Sequence, residues 1–440
     1  MWTHHPELLA RPVPRYTSYP TAAEFSADVG TVDQAEALAA IAPDQPVSLY
    51  VHIPFCQEIC WYCGCNTGRA NRTQRLGAYL DALMAEIATI AGRLGGRGRV
   101  GRIAFGGGSP NALAPEQFAH LLETLRSAFD ARDAVLSIEL DPRSFTPEWA
   151  ATLGACGVSR ASLGVQTFDP AIQAAIGRVQ PRGLIVETVA ALRTHGVGSI
   201  NFDLMYGLPG QDEARLAATL DDAVALAPER IALFGYAHVP DLLPRQRRID
   251  VSRLPDADAR FLMAQRGHAR LTAAGYEAIG FDHFALPDDA IAIVAREGRL
   301  HRNFQGFTED DAPVLIGLGA TAISAFPGLL VQNEKNSGRY RMRALAGLLT
   351  GERGIRRDAE DRRRARVIED LLCERIATVA PFLADPGLKA RLAPFLERGL
   401  AQLDDGGLQV TPNGRPYGRV IAALFDRYRG EQGRRFSSAI

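Results

Sequence analysis

Apolar and polar positions follow a repeating order through the first half of the chain. Short apolar, β-branched runs at 47–53, 102–105, 136–140, 160–165, 199–205 and 230–236 each end near polar or glycine-containing turns, as strands do. Between them lie longer segments with apolar positions three and four apart, such as LGAYLDALMAEIATIAGRL and PEQFAHLLETLRSAF, the second opening on Pro115 at a first helical position. Strand then helix, repeated about six times, predicts an α/β fold around a parallel sheet with right-handed crossovers. Six such units are too few to close an eight-stranded barrel, so a partial (β/α)6 barrel is expected, with its functional loops at the C-terminal strand ends.

After about residue 250 the alternation weakens. A helix near 257–274 leads to the strand-like run YEAIGFDHFALP and an uncharged stretch at 314–331, and from about Gly338 the pattern is helical and arginine-rich. The last part, LERGLAQLDDGGLQVTPNGRPYGRVIAALFDRYR, reads as helix, hairpin around Asp405-Gly406-Gly407 and helix, which resembles a winged helix. The expected organisation is an N-terminal arm (1–45), a core (46–245), a core extension with substrate-pocket segments (246–337) and a mainly helical, winged-helix-like C-terminal domain (338–440).

Composition narrows the function classes. Apolar residues at 47% and charged residues at 22% are ordinary for a globular protein, and a formal charge of −1 gives no global field for nucleic acid. The C-terminal arginines are interleaved with Asp358, Glu360 and Asp361, which favours a solvated or inter-domain helix over a DNA-binding one. The start, MWTHHPELLARP, lacks a basic region followed by an apolar core, so export is not expected. The uncharged stretch is broken by Gly317, Gly319, Pro327 and Gly328 and reads as buried strand and loop, not as a membrane span. A cytoplasmic monomer without nucleic-acid or membrane partners is expected.

The chemistry concentrates in SLYVHIPFCQEICWYCGCN, where Cys56, Cys60, Cys63 and Cys65 follow the first strand. Thiolates this close repel unless a cation or cluster neutralises them. Zinc usually takes a second knuckle, and the remaining cysteines, Cys156 and Cys373, are isolated. A disulfide framework does not fit six cysteines in 440 residues without a secretory signal. C-x-x-x-C-x-x-C suits an iron–sulfur cube held by three thiolates, one iron being left open for a substrate or cofactor.

This loop, with Tyr62 before the third cysteine, resembles the radical S-adenosylmethionine (SAM) enzymes. GGGSP, DPRS, GVQTF, NFDLMYGLP, YAHVP, GFDHFA and HRNFQGF are similar to one branch, the oxygen-independent coproporphyrinogen III oxidases, from PRYTSYPTAAEFS to RRFSSAI. The resemblance implies a 4Fe–4S cluster on Cys56, Cys60 and Cys63, and SAM cleaved to a 5′-deoxyadenosyl radical. It implies a first SAM on Tyr50, Gly107, Glu139 and Ile323. A second SAM would lie on Tyr62, Gly108, Ser109, Gln166, Arg178, Asp203 and Ala237, and Cys65 would be needed for catalysis without binding the cluster. The family more often has Asp where this chain has Thr167. The implied reaction turns two propionates of coproporphyrinogen III into vinyl groups, giving protoporphyrinogen IX, with an unidentified electron donor and acceptor. A paralogue acting on another tetrapyrrole, or a haem-binding or haem-trafficking protein, are the alternative readings. Arg15, Arg245, Arg247, Arg248 and Arg302 are the candidate propionate partners, and His52, His238, His283 and His301 the candidate proton donors.

Overall fold

The six strand-like runs become six neighbouring parallel strands in a computed structural model, which describes residues 2–70 and 73–429. They are β1 (Pro46–Ile53), β2 (Arg99–Gly107), β3 (Val135–Leu140), β4 (Arg160–Gln166), β5 (Ser199–Tyr206) and β6 (Arg230–Gly235). Their order in the sheet follows the chain. Helices connect them, among them Thr73–Leu94, Pro115–Phe129 and Glu213–Ala225. Strand alternation decides which face each residue takes. On β5, Ile200, Phe202 and Leu204 are fully buried under a helical layer that buries Leu216, Leu220 and Ala223, while Asn201 and Asp203 take the opposite face. The apolar core therefore lies outside the sheet, and polar side chains line its inner face.

The sheet continues at both edges to twelve strands. The expected single strand in YEAIGFDHFALP is a hairpin, β7 (Glu277–Ile279) and β8 (His283–Ala285), antiparallel on β6. Gly280 turns it with φ +59°, where any side chain would run into the Phe307 ring. The uncharged stretch forms β9 (Val314–Leu318), parallel to β1, then β10 (Ile323–Phe326) and β11 (Leu329–Asn333), consistent with a buried strand and loop. β12 (Gly351–Arg356) pairs antiparallel with β11, so the segment expected to be helical from 338 onward contributes the outermost strand. The edge strands β12 and β7 do not pair with each other, which leaves the sheet open. No described helix is long and apolar enough to cross a membrane.

The arm and the C-terminal segment are fastened together. Trp2 Nε1 donates to Pro412 O (3.1 Å), His5 N to the Tyr417 hydroxyl (2.8 Å), the Tyr16 hydroxyl to Asp426 (2.9 Å) and Arg427 N to the Tyr19 hydroxyl (3.1 Å). Ser26 exchanges both backbone hydrogen bonds with Gly354, each 2.9 Å, tying the arm to β12 as well. The C-terminal region contains helix Pro386–Glu397, strands Ala401–Asp404 and Gly407–Val410, and helix Gly418–Ala423. The hairpin turns at Asp405 (φ +47°) and Gly406 (φ +78°), the positions its sequence indicates, and Ala377–Thr378 adds a third strand. The RRFSSAI segment (434–440) lies outside the described residues.

Candidate active site

The cysteine loop leaves the C-terminal end of β1, and short parallel pairing holds both of its ends: Phe55 aligns with Gly68 and Cys56 with Arg69. Cys60 is buried, Cys56 and Cys63 are half-buried and Cys65 is exposed. Two guanidinium groups meet Cys60, with Arg178 Nη1 and Arg143 Nη2 each 3.3 Å from its Sγ. Asp141 stands between them, 2.6 Å from Arg143 Nη2 and 3.1 Å from Arg178 Nη2. Burial opposes ionisation of Asp141, but Arg178 and then Arg143 hold its carboxyl below the usual range. Arg143 also reaches into the loop, donating to Glu58 Oε2 at 3.0 Å. Hydrogen bonding from Cys65, including its backbone N–H at 3.4 Å, lowers the Cys63 thiol to about 6, whereas burial pushes Cys56 up to about 12.

The glycines ending β2 make room for protein groups. A Cβ on Gly106 would stand 2.6 Å from the Glu139 carboxylate, and one on Gly107 (φ +109°) would enter the His52 ring. Gly107 N–H donates to Glu139 Oε2 (3.1 Å). Burial nevertheless raises Glu139 to about 7, the Gly107 amide opposing, and burial raises Asp203 too, against donation from Ser162 (3.0 Å) and Asn201 (2.9 Å).

These groups face one cavity of about 560 Å³. Its walls carry the cysteines of the loop with Tyr62, then Gly107 and Gly108 after β2, Glu139 at the end of β3, Gln166 and Arg178 after β4, Asp203 on β5 and Ala237 after β6. Gln246, not singled out in the sequence, joins the first and last of these elements, its Nε2 lying 2.8 Å from Tyr62 O and 3.0 Å from Ala237 O. Three expected residues lie off this wall. Ser109 is buried, bonded to Asn111 and accepting Asp141 N–H (3.2 Å). Tyr50 sits behind the wall, its hydroxyl 3.1 Å from His52 Nδ1 and its ring edge-on to Phe304 (4.4 Å). Ile323 lines a second cavity of about 550 Å³. Thr167 is fully buried, bonded to Thr219 (3.0 Å) and accepting Asp169 N–H (3.2 Å), so it also faces away from the site.

The candidate arginines separate. Arg15 lines both cavities, its Nη2 3.1 Å from Gly235 O, and Arg302 lines the second. Arg245 meets Thr67 (3.3 Å), Arg248 stacks over Trp61 (5.0 Å) and Arg247 is exposed. Among the histidines, burial lowers His52 to about 4 and leaves it neutral. His238 pairs with the Tyr236 hydroxyl (2.9 Å), His283 with Asp282 (2.6 Å) and His301 with Glu369 (3.0 Å).

Thiols beside a cavity, with cationic N–H donors on one sulfur, fit an iron–sulfur cluster, whose ligands sit at separate corners. Among the described residues, no three His, Cys, Asp or Glu side chains converge tightly enough to hold a single metal ion. Glu139 and Asp203 suit a ligand with hydroxyl donors and a positive charge. The radical SAM superfamily profile matches residues 50–223. The oxygen-independent coproporphyrinogen III oxidase of Bradyrhizobium diazoefficiens is 42% identical over 425 residues, 94% of each chain. Its counterpart in Pseudomonas aeruginosa is 40% identical over 441 residues, 97% of this chain and 96% of that one. The solved structure of coproporphyrinogen III oxidase from Escherichia coli, a radical SAM enzyme, superposes with a TM-score of 0.89 at 38% identity, covering 97% of this chain and all of that one.

Proposed function

The chain belongs to the oxygen-independent coproporphyrinogen III oxidase family of radical SAM enzymes, and we propose that it performs the family's reaction with the residues gathered at the cysteine cavity. That reaction is oxidative decarboxylation of two propionates of coproporphyrinogen III to vinyl groups, and its cofactors are a 4Fe–4S cluster and SAM. The cluster with SAM supplies a carbon radical able to take a hydrogen from a propionate.

The protein's part is to hold and orient. Cys56, Cys60 and Cys63 provide three thiolates, and the guanidinium groups of Arg178 and Arg143 stabilise that of Cys60 by charge-assisted hydrogen bonds. Glu139 and Asp203 accept hydrogen bonds from ribose hydroxyls and offset the sulfonium charge. Gly107, Gly108, Gln166 and Ala237 shape the remaining wall, Tyr62 covers it, Tyr50 and Ser109 support it from outside, and Ile323 faces the second cavity. Cys65, beside Cys63 on the cavity wall, is the thiol left for the substrate once the other three hold the cluster. The enzyme works as a cytoplasmic monomer, receives electrons from a donor outside the chain and passes those released to an acceptor.

The observation that carries this reading is the convergence of three thiols, two half-buried carboxylates and Arg178 on one cavity. Anaerobically reconstituted protein given SAM and coproporphyrinogen III should release CO2 and form divinyl product, and Cys60→Ala should lose both iron and turnover. Methionine formation without CO2 or vinyl product would refute it.

A further inference from the structure

The second cavity meets the first at Arg15 and has a different character. Leu315, Ile323 and Leu330 of β9–β11, with Ile368 of the helix Ala359–Leu372, give it apolar walls. Cations stand apart around them: Arg15, Arg302 and Arg357. Two of its acids are engaged and the third is exposed. Asp310 accepts from Ser48 (2.6 Å), Glu369 holds His301 (3.0 Å) and Asp311 is exposed.

Two of these arginines have spare donors. Arg302 lies between the Phe307 and Phe281 rings (4.5 and 4.9 Å) and gives Nη2 to Arg15 O (3.2 Å), yet its Nη1 is buried without an acceptor. Arg357 gives Nη2 to Phe326 O, and its buried Nε has none. A buried cation with an unused N–H is costly, and a ligand carboxylate removes the cost through a charge-assisted bond. Apolar walls with separated guanidinium groups match a large apolar ring bearing several carboxylates.

Resting on the function proposed above, we infer that this cavity holds the tetrapyrrole ring of the substrate, with unreacted propionates on Arg302 and Arg357. Arg15 marks the passage by which the reacting propionate enters the cysteine cavity. Substrate and cofactor thus occupy adjoining compartments, and the ring stays in place while one side chain at a time reaches the thiol side.

The test needs neither cluster nor turnover. Coproporphyrin III, the stable oxidised ring with four propionates, is titrated by fluorescence against the full chain and against Arg302→Met and Arg357→Met. Each variant should bind about tenfold more weakly or worse, the loss of one charge-assisted bond. Arg302→Lys, which keeps the charge but not the fork, should fall between parent and Met variant, and it stands in if the Met variant does not fold. Mesoporphyrin IX, with two propionates, should lose less in the variants than coproporphyrin III does. Variants that bind coproporphyrin III within about twofold of the parent would overturn the cavity assignment and leave the function standing. A parent chain with no affinity for coproporphyrin III would overturn both.

Discussion

Glu86 is the strongest test of how the core supports the site. It lies on the helix Thr73–Leu94, only 2% exposed, and its carboxylate takes donors from four places. Gly319 N–H (2.6 Å) and the Tyr340 hydroxyl (2.7 Å) reach Oε2, and Asn333 Nδ2 (2.9 Å) and the Thr350 hydroxyl reach Oε1. Glu86→Ala leaves three of these without an acceptor, since Asn333 keeps the carbonyls of Gly317 and Gly319. At about 1–2 kcal/mol per orphaned buried donor, the cost is about 4 kcal/mol, a large share of the 5–15 kcal/mol typical of a folded protein. Glu86→Gln keeps the shape and one accepting oxygen, and should cost about half as much. Urea denaturation followed by circular dichroism reads both as a lower midpoint at unchanged slope. An alanine variant within about 1 kcal/mol of the parent would show that water replaces the carboxylate and that the network is not a mainstay of the fold.

Other outcomes follow from the site. Because burial holds Glu139 near 7, the carboxylate proposed to accept a ribose hydroxyl is lost as pH falls through that value. SAM affinity, measured calorimetrically between pH about 6 and about 8, should therefore rise with pH in the parent and be flat in Glu139→Gln. Arg143→Met removes one N–H···S contact from Cys60 and should make the reconstituted cluster harder to reduce in a redox titration followed by electron paramagnetic resonance, while iron content stays unchanged. Thr167→Asp should leave the vinyl product unchanged in mass spectrometry, because that position faces Thr219 and the Asp169 amide, away from the cavity.

The sequence carried the core well for a physical reason: an apolar strand, a polar turn and an amphipathic helix are local patterns, and the chemistry-bearing loops follow from where strands end. What it hid is tertiary. The arginines on Cys60 come from 83 and 118 residues away, and Gln246 reaches Tyr62 across 184. DPRS contained the signal for Arg143, an acid and a base two apart after a strand, but not the partner. The glycines ending β2 also meet a tertiary requirement that no local pattern shows: Gly106 leaves room for the Glu139 carboxylate and Gly107 for the His52 ring. β12 was concealed by its composition, GERGIR, whose charges and glycines lie within an arginine-rich stretch that reads as helical until β11 supplies a pairing edge.

The clasp between the arm and the C-terminal segment sets a timetable for synthesis. Residues of the 14–23 segment form one side of the second cavity, but Asp426 and Arg427, which hold Tyr16 and Tyr19, leave the ribosome among the last described residues. A nascent chain can present its thiols to the cell long before that wall is secured. A chain cut short before Asp426 would therefore keep its cysteine loop and lose the contacts from Asp426 and Arg427 that secure the arm.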